Sequence, residues 1–379
     1  MKKILLSLLL LFNIIIVNAE VSDLATNSQS AILMDYDTGT ILYEKNMDEE
    51  LPPASMTKIM SMILIMEAID KGKISFDDEV IISDVASNMG GSQVYLQTGE
   101  KYSVNDLLKS VAIASGNDAV VALAEHISGS VEEFVRLMNE KARELNLQNT
   151  NFVNPHGLDA ENHFSSAHDM AIMAKELLKY EKILEYTSIY EDYLTKNDGS
   201  NIWLVNTNKL IRYYKGIDGL KTGFTSNAGY CITVTAKKNN TRLIAVVMNV
   251  IDDEKRKDDI IKMLNYGFAN YQSYLLKSKE ELIGTKKVET LENDIELFLL
   301  KDYKILLKKG EDIPNYTYEI ELNNIKDNVK KNSIVGKIKV IDEEGNIIDN
   351  LDVIVLEDYN RVSFKTLLIR NIKRIIGVN

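Results

Sequence analysis

Apolar residues fill nearly every position of 59–69, leaving no helical face polar. That pattern predicts a helix buried on all sides rather than one lying on the surface. Ahead of it, 31–36 and 40–44 are β-rich runs flanking Asp37-Thr38-Gly39, a hairpin signal, and Pro52 and Pro53 then stop the extended chain. Residues 105–128 read as helical with a break at Ser115-Gly116-Asn117. Ser130 with Glu133, and Ser166 with Asp169, have the spacing of capping boxes and open helices to about Leu145 and Tyr180. Two β-rich runs, 229–235 and 242–250, are joined by the polar turn 237–240, and 255–274 reads as a further helix. A strand hairpin, a helical block, then strands and a closing helix make an α+β chain with an antiparallel sheet, not an alternating βαβ chain. Composition shifts near Leu276: to about Asp358 short β-rich runs alternate with Asp, Asn, Gly and Lys, with Pro314 among them. This predicts a separate small β domain.

The two ends carry patterns of their own. Lys2 and Lys3 precede an apolar run over 4–17, and Val17-Asn18-Ala19 then supplies compact residues for cleavage. That is the layout of a secretory signal peptide, with the mature chain starting near Glu20. A buried N-terminal helix is the alternative, disfavoured by the opening lysines and the small-residue site. At the other end, Phe364, Leu367, Leu368, Ile372, Ile375 and Ile376 recur at steps that gather them on one helical face, and Ile369 falls off this stripe. Lys365, Arg370, Lys373 and Arg374 make the segment basic. It is too short and too charged to span a bilayer, but suited to lie in the membrane interface. Docking on the β domain is the competing arrangement. The expected organisation is 1–19 signal peptide, 20–275 main domain, 276–360 β domain and 361–379 amphipathic anchor.

The net charge of −12, without a basic stripe through the body, excludes nucleic acid as a partner. Cys231 is the only cysteine, so no internal disulfide forms, and its apolar neighbours make it a small buried hydrophobe rather than a reactive thiol. His156, His163 and His168 lie close together, but their spacing repeats no common zinc pattern and no cysteine joins them. No metal or cofactor is expected. The tyrosines scatter and form no recognisable stacking platform.

Three short motifs carry candidate chemistry. Ser55-Met56-Thr57-Lys58 opens the buried helix, and a spacing of three puts Ser55 and Lys58 on one face. A serine hydroxyl needs a neighbouring base before it attacks, and a lysine is a base only with a lowered pKa, through burial or a nearby cation. Alone this spacing is common, yet everything after Lys58 reads as buried. Ser115-Gly116-Asn117 can aim a hydroxyl and a carboxamide into a cleft, but taken singly it reads equally as a helix–helix turn. Lys221-Thr222-Gly223 can hold a carboxylate on a strand edge, with Gly223 admitting a ligand close to the backbone; a turn between strands is the alternative.

Jointly and in this order, the motifs form the signature shared by penicillin-binding proteins and class A β-lactamases. With glycine in the second motif, and with Ala31-Ile32-Leu33-Met34-Asp35, Pro53-Ala54-Ser55, Asn154-Pro155-His156-Gly157-Leu158-Asp159 and Ser165-Ser166-Ala167-His168-Asp169-Met170, the chain resembles the low-molecular-weight D-alanyl-D-alanine carboxypeptidases of the S11 peptidase type. The resemblance covers nearly all of the mature chain. It implies that Ser55 attacks the carbonyl between the terminal D-alanines of a peptidoglycan stem peptide and that Lys58 takes its proton. It implies that Ser115 relays a proton to the leaving amine, Asn117 holds the substrate amide, and Lys221 and Thr222 hold the terminal carboxylate. Backbone N–H groups of Ser55 and Phe224 would form the oxyanion hole, and penicillin would acylate Ser55. It also implies a protein tethered at the outer face of the cytoplasmic membrane. Phe224 stands where the best-known members often have histidine, so any imidazole role there is lost.

Three other readings compete. A class A β-lactamase needs a Glu-x-x-Leu-Asn element between the second and third motifs, but the Leu145-Asn146 pair has Ala142 three residues before it. An endopeptidase or transpeptidase could use the same acyl-enzyme. A wall-binding scaffold with a dead site would be expected to have lost part of the motif set.

Overall fold

Alternation along the strands sorts the main core into two layers. In the computed structural model, which describes residues 23–375 apart from residue 197, five antiparallel strands run in the order Ile41–Lys45, Ser28–Asp35, Thr241–Val250, Gly229–Lys238, Ile217–Thr225. Ile32, Met34, Ile244, Val246 and Met248 face the helical block. Ala31, Leu33, Leu243, Ala245 and Val247 face the closing helix, with its Ile260, Met263 and Leu264. This is the period of two that β-strands impose when both sheet faces are covered. The expected α+β architecture is therefore present.

The buried helix is Lys58–Asp70, and ten of its residues, Lys58 among them, are buried. The helical stretch 105–128 divides into Val104–Ala114 and Asn117–Ser128, broken where the sequence indicated. Ser130 and Ser166 cap the next helices, Val131–Glu144 and Ala167–Leu177, each hydroxyl accepting a backbone N–H at 3.1 Å. The return arms of the expected boxes do not form. Glu133 pairs with Arg136 instead, and the Asp169 carboxylate accepts from the Asn149 N–H and the Thr150 hydroxyl.

The closing helix departs from expectation. It runs Asp253–Asn270, and the chain then enters a strand, Tyr271–Lys277, paired with Tyr303–Lys308. Tyr271, Tyr274 and Leu275 continue a helix-like spacing, but the cross-strand partner supplied by residues 303–308 overrides it. A hairpin that the sequence did not signal, Glu191–Thr195 with Asn201–Val205, packs Leu194 and Leu204 against the helical block.

Beyond the closing helix a second five-stranded sheet, in the order Gly284–Lys286, Ile295–Leu299, Ile347–Ile354, Ile334–Ile341, Thr317–Leu322, has its own core of Leu297, Val340, Val353 and Val355. Lys304 ties this region to the first hairpin through Asp37 at 3.2 Å. The terminal helix Phe364–Ile375 follows. Phe364, Leu368, Ile369, Ile372 and Ile375 are all exposed on it. Arg370, one of its four cations, donates to the carbonyls of Glu289 and Leu291, both at 2.8 Å, and so belongs to the contact with the β domain. Among the described residues no helix is long and apolar enough to cross a membrane. The expected signal peptide and Ile376 lie outside the described residues.

Candidate active site

Pro52 and Pro53 deliver the chain into a single 3-10 turn, Ala54–Thr57, and Lys58 begins the helix behind it. The turn lifts Ser55 to partial exposure while Lys58 is wholly buried. The Lys58 Nζ lies 3.1 Å from Ser55 Oγ, 2.6 Å from Asn117 Oδ1 and 2.8 Å from the carbonyl oxygen of His156. Two of these partners, an amide oxygen and a backbone carbonyl, can only accept. A neutral amine has two N–H bonds and one lone pair. With both N–H groups donated to Asn117 and His156, the lone pair is left facing the Ser55 hydroxyl, which then donates to it.

Electrostatics favour that neutral form. Burial pushes the Lys58 pKa far below its ordinary value, Lys221 pushes it further in the same direction, and Asp118 opposes them. Lys221 is itself fully buried, and burial with the nearby Arg256 guanidinium brings it down to about 7. Its Nζ donates to the Thr222 carbonyl at 3.0 Å. Stripping two lysines of water in one site weakens the hold of each on its proton, far more for Lys58 than for Lys221, whose remaining charge acts on Lys58.

The second motif closes the site from the helical side. The helix Val104–Ala114 ends at Ser115, whose φ of +63° is left-handed. Its hydroxyl is buried and lacks a hydrogen-bond partner among the described residues. Asn117 opens the following helix, holds Lys58 through its oxygen and donates through Nδ2 to the Gly90 carbonyl at 2.7 Å. Asp118 then clasps the preceding loop by accepting from the N–H groups of Val94 and Leu96.

The third motif lies on the edge strand Ile217–Thr225, antiparallel to Gly229–Lys238. Gly223 brings this strand against the turn that carries Ser55: a Cβ there would stand 2.7 Å from the Pro53 carbonyl oxygen and 3.2 Å from the Ser55 nitrogen. Thr222 Oγ1 donates to Thr207 Oγ1 at 2.7 Å. The Phe224 side chain is 55% exposed and leans on Tyr230, ring centroids 4.4 Å apart. The structure thus puts Ser55, Lys58 and Asn117 in direct contact and Gly223 against the turn. Lys221 acts on Lys58 through charge, and the Phe224 ring points away to solvent.

Several groups that complete the site were given no role from sequence. The loop from Asn154 to Asp159 supplies the His156 carbonyl to Lys58 and the Pro155 carbonyl to Ser61. It comes so close because Gly157, at φ +87°, lacks a side chain: a Cβ would sit 1.8 Å from the Ala54 carbonyl oxygen. Asp118, Thr207 and Arg256 were missed as well. Hydrogen bonds engage the histidines individually. The Nδ1 atoms of His156 and His163 each accept a backbone N–H, and His163 Nε2 donates to Thr57 Oγ1 at 2.8 Å. Burial lowers their pKa values to about 3 and about 4. His168 sits apart, 3.0 Å from Asp48.

Residues 17–252 match the family described as D-alanyl-D-alanine carboxypeptidase, peptidase family S11, and residues 271–361 match the penicillin-binding protein 5 C-terminal domain. The chain is 49% identical over 351 residues to D-alanyl-D-alanine carboxypeptidase DacF of Bacillus subtilis, covering 92% of this chain and 90% of that one. Penicillin-binding protein 5 from Haemophilus influenzae superimposes with a TM-score of 0.68 at 34% identity, over 88% of this chain and 98% of that one. Penicillin-binding protein D2 from Listeria monocytogenes in its ampicillin-bound form does so with a TM-score of 0.58 at 31% identity, over 64% of this chain and 97% of that one. A buried lysine facing a serine on a penicillin-binding scaffold, aligned along most of its length with such relatives, places the chain in the S11 peptidases, the D-alanyl-D-alanine carboxypeptidase family.

Proposed function

We infer that the protein is a penicillin-binding serine D-alanyl-D-alanine carboxypeptidase that removes the last residue of peptidoglycan stem peptides. The observation that carries this is the buried Lys58 Nζ, held by two obligate acceptors and facing Ser55 Oγ. In the proposed reaction Ser55 Oγ bonds to the carbonyl carbon of the penultimate D-alanine as its proton passes to Lys58. The oxygen that gains charge is met by the backbone N–H groups of Ser55 and Phe224. The C–N bond then breaks, and the departing amine takes a proton through Ser115. The buried, uncommitted Ser115 hydroxyl suits a relay, having both a donor and an acceptor to offer. Lys221, in its protonated form, and Thr222 hold the terminal carboxylate, and Asn117 positions the substrate amide alongside Lys58. Water next attacks the ester, giving its proton to Lys58, and Ser55 leaves. A β-lactam, a mimic of the same dipeptide, acylates Ser55 by the first half of this sequence.

We further propose that residues 1–19 export the chain and that the terminal helix rests on the outer face of the cytoplasmic membrane. The exposed Phe364, Leu368, Ile369, Ile372 and Ile375 support an interfacial position, since docking on the β domain would have buried them. Arg370 holds the helix to the β domain through the Glu289 and Leu291 carbonyls, while Phe364, Leu368, Ile369, Ile372 and Ile375 stay exposed. The β domain would then be a spacer between lipid and active site.

The test is release of D-alanine from a free stem pentapeptide by the full chain. Stoichiometric release supports the reading. Covalent penicillin binding without any D-alanine release would overturn it.

A further inference from the structure

The hairpin Glu191–Thr195/Asn201–Val205 presents a face that the catalytic reaction does not use. Its inner residues Leu194 and Leu204 are wholly buried, whereas Tyr193 and Trp203 on the outer face are 55% and 60% exposed. The two lie directly opposite one another across the strands. Residues that scatter in the sequence are thus brought into one aromatic surface by the register. The next pair along the same face is Thr195 and Asn201, joined by a hydrogen bond of 2.8 Å from Thr195 Oγ1 to Asn201 Oδ1. The pair on the other side is Glu191 and Val205. Single exposed aromatics are ordinary on protein surfaces. A paired aromatic face edged by an amide, a hydroxyl and a carboxylate is amphipathic in a particular way, offering flat apolar area with hydrogen-bonding groups at its margins.

The hairpin that carries this face is tied to the elements of the catalytic cleft at three points. Lys109, on the helix that ends at Ser115, donates to the Tyr193 carbonyl at 2.9 Å and pairs with Asp192. Lys196 donates to the carbonyl of Tyr95 at 2.9 Å, and Tyr95 belongs to the loop whose Gly90 carbonyl holds Asn117. The outgoing strand reaches Thr207, hydrogen-bonded to Thr222, four residues after Trp203, a span of at most about 13 Å. Tyr95 is itself 70% exposed and held at φ +56°, a conformation bulky residues seldom adopt.

Hexose rings have the matching character: their axial C–H faces stack on aromatic rings while hydroxyl and N-acetyl edges seek amides, hydroxyls and carboxylates. The stem peptide is carried on a strand of N-acetylated hexosamines. Fully extended, a five-residue stem spans about 17 Å, longer than the at most about 13 Å of strand between Trp203 and Thr207, the hydrogen-bond partner of Thr222, so its glycan comes within reach of this face. We propose that the Tyr193–Trp203 face binds the N-acetylated glycan strand bearing the stem peptide and presents that peptide to the cleft. The proposal rests on the carboxypeptidase reading for its substrate, but its binding arm can be measured separately.

Trp203 is the single tryptophan of the chain, so its fluorescence reports on this face directly. Titrating the full chain with a β-1,4-linked N-acetylglucosamine oligomer should give a saturable change in emission, weakened in Tyr193→Ala. With pentapeptide attached to glycan strands, Tyr193→Ala and Trp203→Ala should lose about tenfold in kcat/KM, the scale of one aromatic stacking contact. Release from free pentapeptide, and the rate of penicillin acylation, should stay unchanged. If Trp203→Ala fails to fold, Trp203→Phe and Tyr193→Ser carry the same comparison. An emission unmoved by the oligomer, or equal losses on both substrates, would overturn the proposal. So would an emission that responds to anionic lipid vesicles and not to the oligomer. If the wild type releases D-alanine from neither substrate, the carboxypeptidase reading fails on its own, while a fluorescence response would still stand for the glycan face.

Discussion

The helix behind Ser55 and the helix at the C-terminus are built from similar residues, aliphatic side chains with lysine or arginine among them, and they sit at opposite extremes of solvation. In Lys58–Asp70 the apolar residues go all the way round, and the one cation at its start is sealed in with them. In Phe364–Ile375 they gather towards one side and stand in solvent. Burial turns the same chemical group to different use. An ammonium in water is a fixed positive charge suited to anionic surfaces, whereas Lys58, deprived of water and repelled by Lys221, gives up its proton far more readily, as the proposed base role requires. The lesson is that a Ser-x-x-Lys spacing acquires chemistry from the helix that follows it.

The sharpest way to break this comparison is to deny Lys58 its neutral form. Lys58→Arg keeps a cation that does not deprotonate, and acylation by penicillin should fall on the order of a hundredfold or more. Stopped-flow or gel-based acylation rates near those of wild type would remove Lys58 from the base role. Next in size is Gly157→Ala. Its Cβ would meet the Ala54 carbonyl oxygen at 1.8 Å from a backbone at φ +87°, forcing apart the loop and the turn that carries Ser55. A loss of roughly 3 kcal/mol or more in stability, with slower acylation, is expected in denaturant melts. Unchanged melts would mean that the loop does not lie where the His156 carbonyl can reach Lys58.

A smaller effect sharpens the account of the sealed side. His156 and His163 have folded-state pKa values of about 3 and about 4, below the ordinary 6.5. Between those values the unfolded chain binds more protons, so stability rises with pH there and is lost as pH falls from about 6.5 towards 4. Each ring should contribute on the order of 2 to 3 kcal/mol to that loss. His163→Gln should flatten the dependence of the melting temperature on pH across this window; an identical slope would mean that the ring is not held neutral. The smallest effect on chemistry belongs to the exposed helix. A chain ending at Asn360 should release D-alanine in solution as fast as the full chain, yet fail to float with anionic vesicles. Equal flotation of both forms would contradict the anchor.

Much of the fold was legible because its signals are local: the β-rich runs and turn residues of the sheet, the all-apolar helix, the serine caps and the break at Ser115. The end of the closing helix was misread because residues 271–277 find a strand partner some thirty residues later, which no local spacing reveals. In the site, Ser55, Lys58, Asn117 and Lys221 could be named because side-chain chemistry survives in a one-letter code. The His156 carbonyl could not, since a backbone oxygen is common to every residue and only folding brings it to Lys58 across 98 positions. Asp118 looked like an ordinary acid in the first turn of a helix, a place where acids are favoured anyway, and its clasp on Val94 and Leu96 is tertiary. The aromatic face of the hairpin escaped for the same reason, as Tyr193 and Trp203 meet only through cross-strand register.

Every step of the proposed reaction depends on Ser55 Oγ forming the acyl ester. The direct test is intact-mass and peptide-mapping analysis of the full chain and of Ser55→Ala after incubation with a fluorescent penicillin. A single adduct is expected on the peptide carrying Ser55 in the wild type and none in the variant, with matching circular dichroism. An adduct retained by Ser55→Ala, or mapped to any other residue of the wild type, would contradict it.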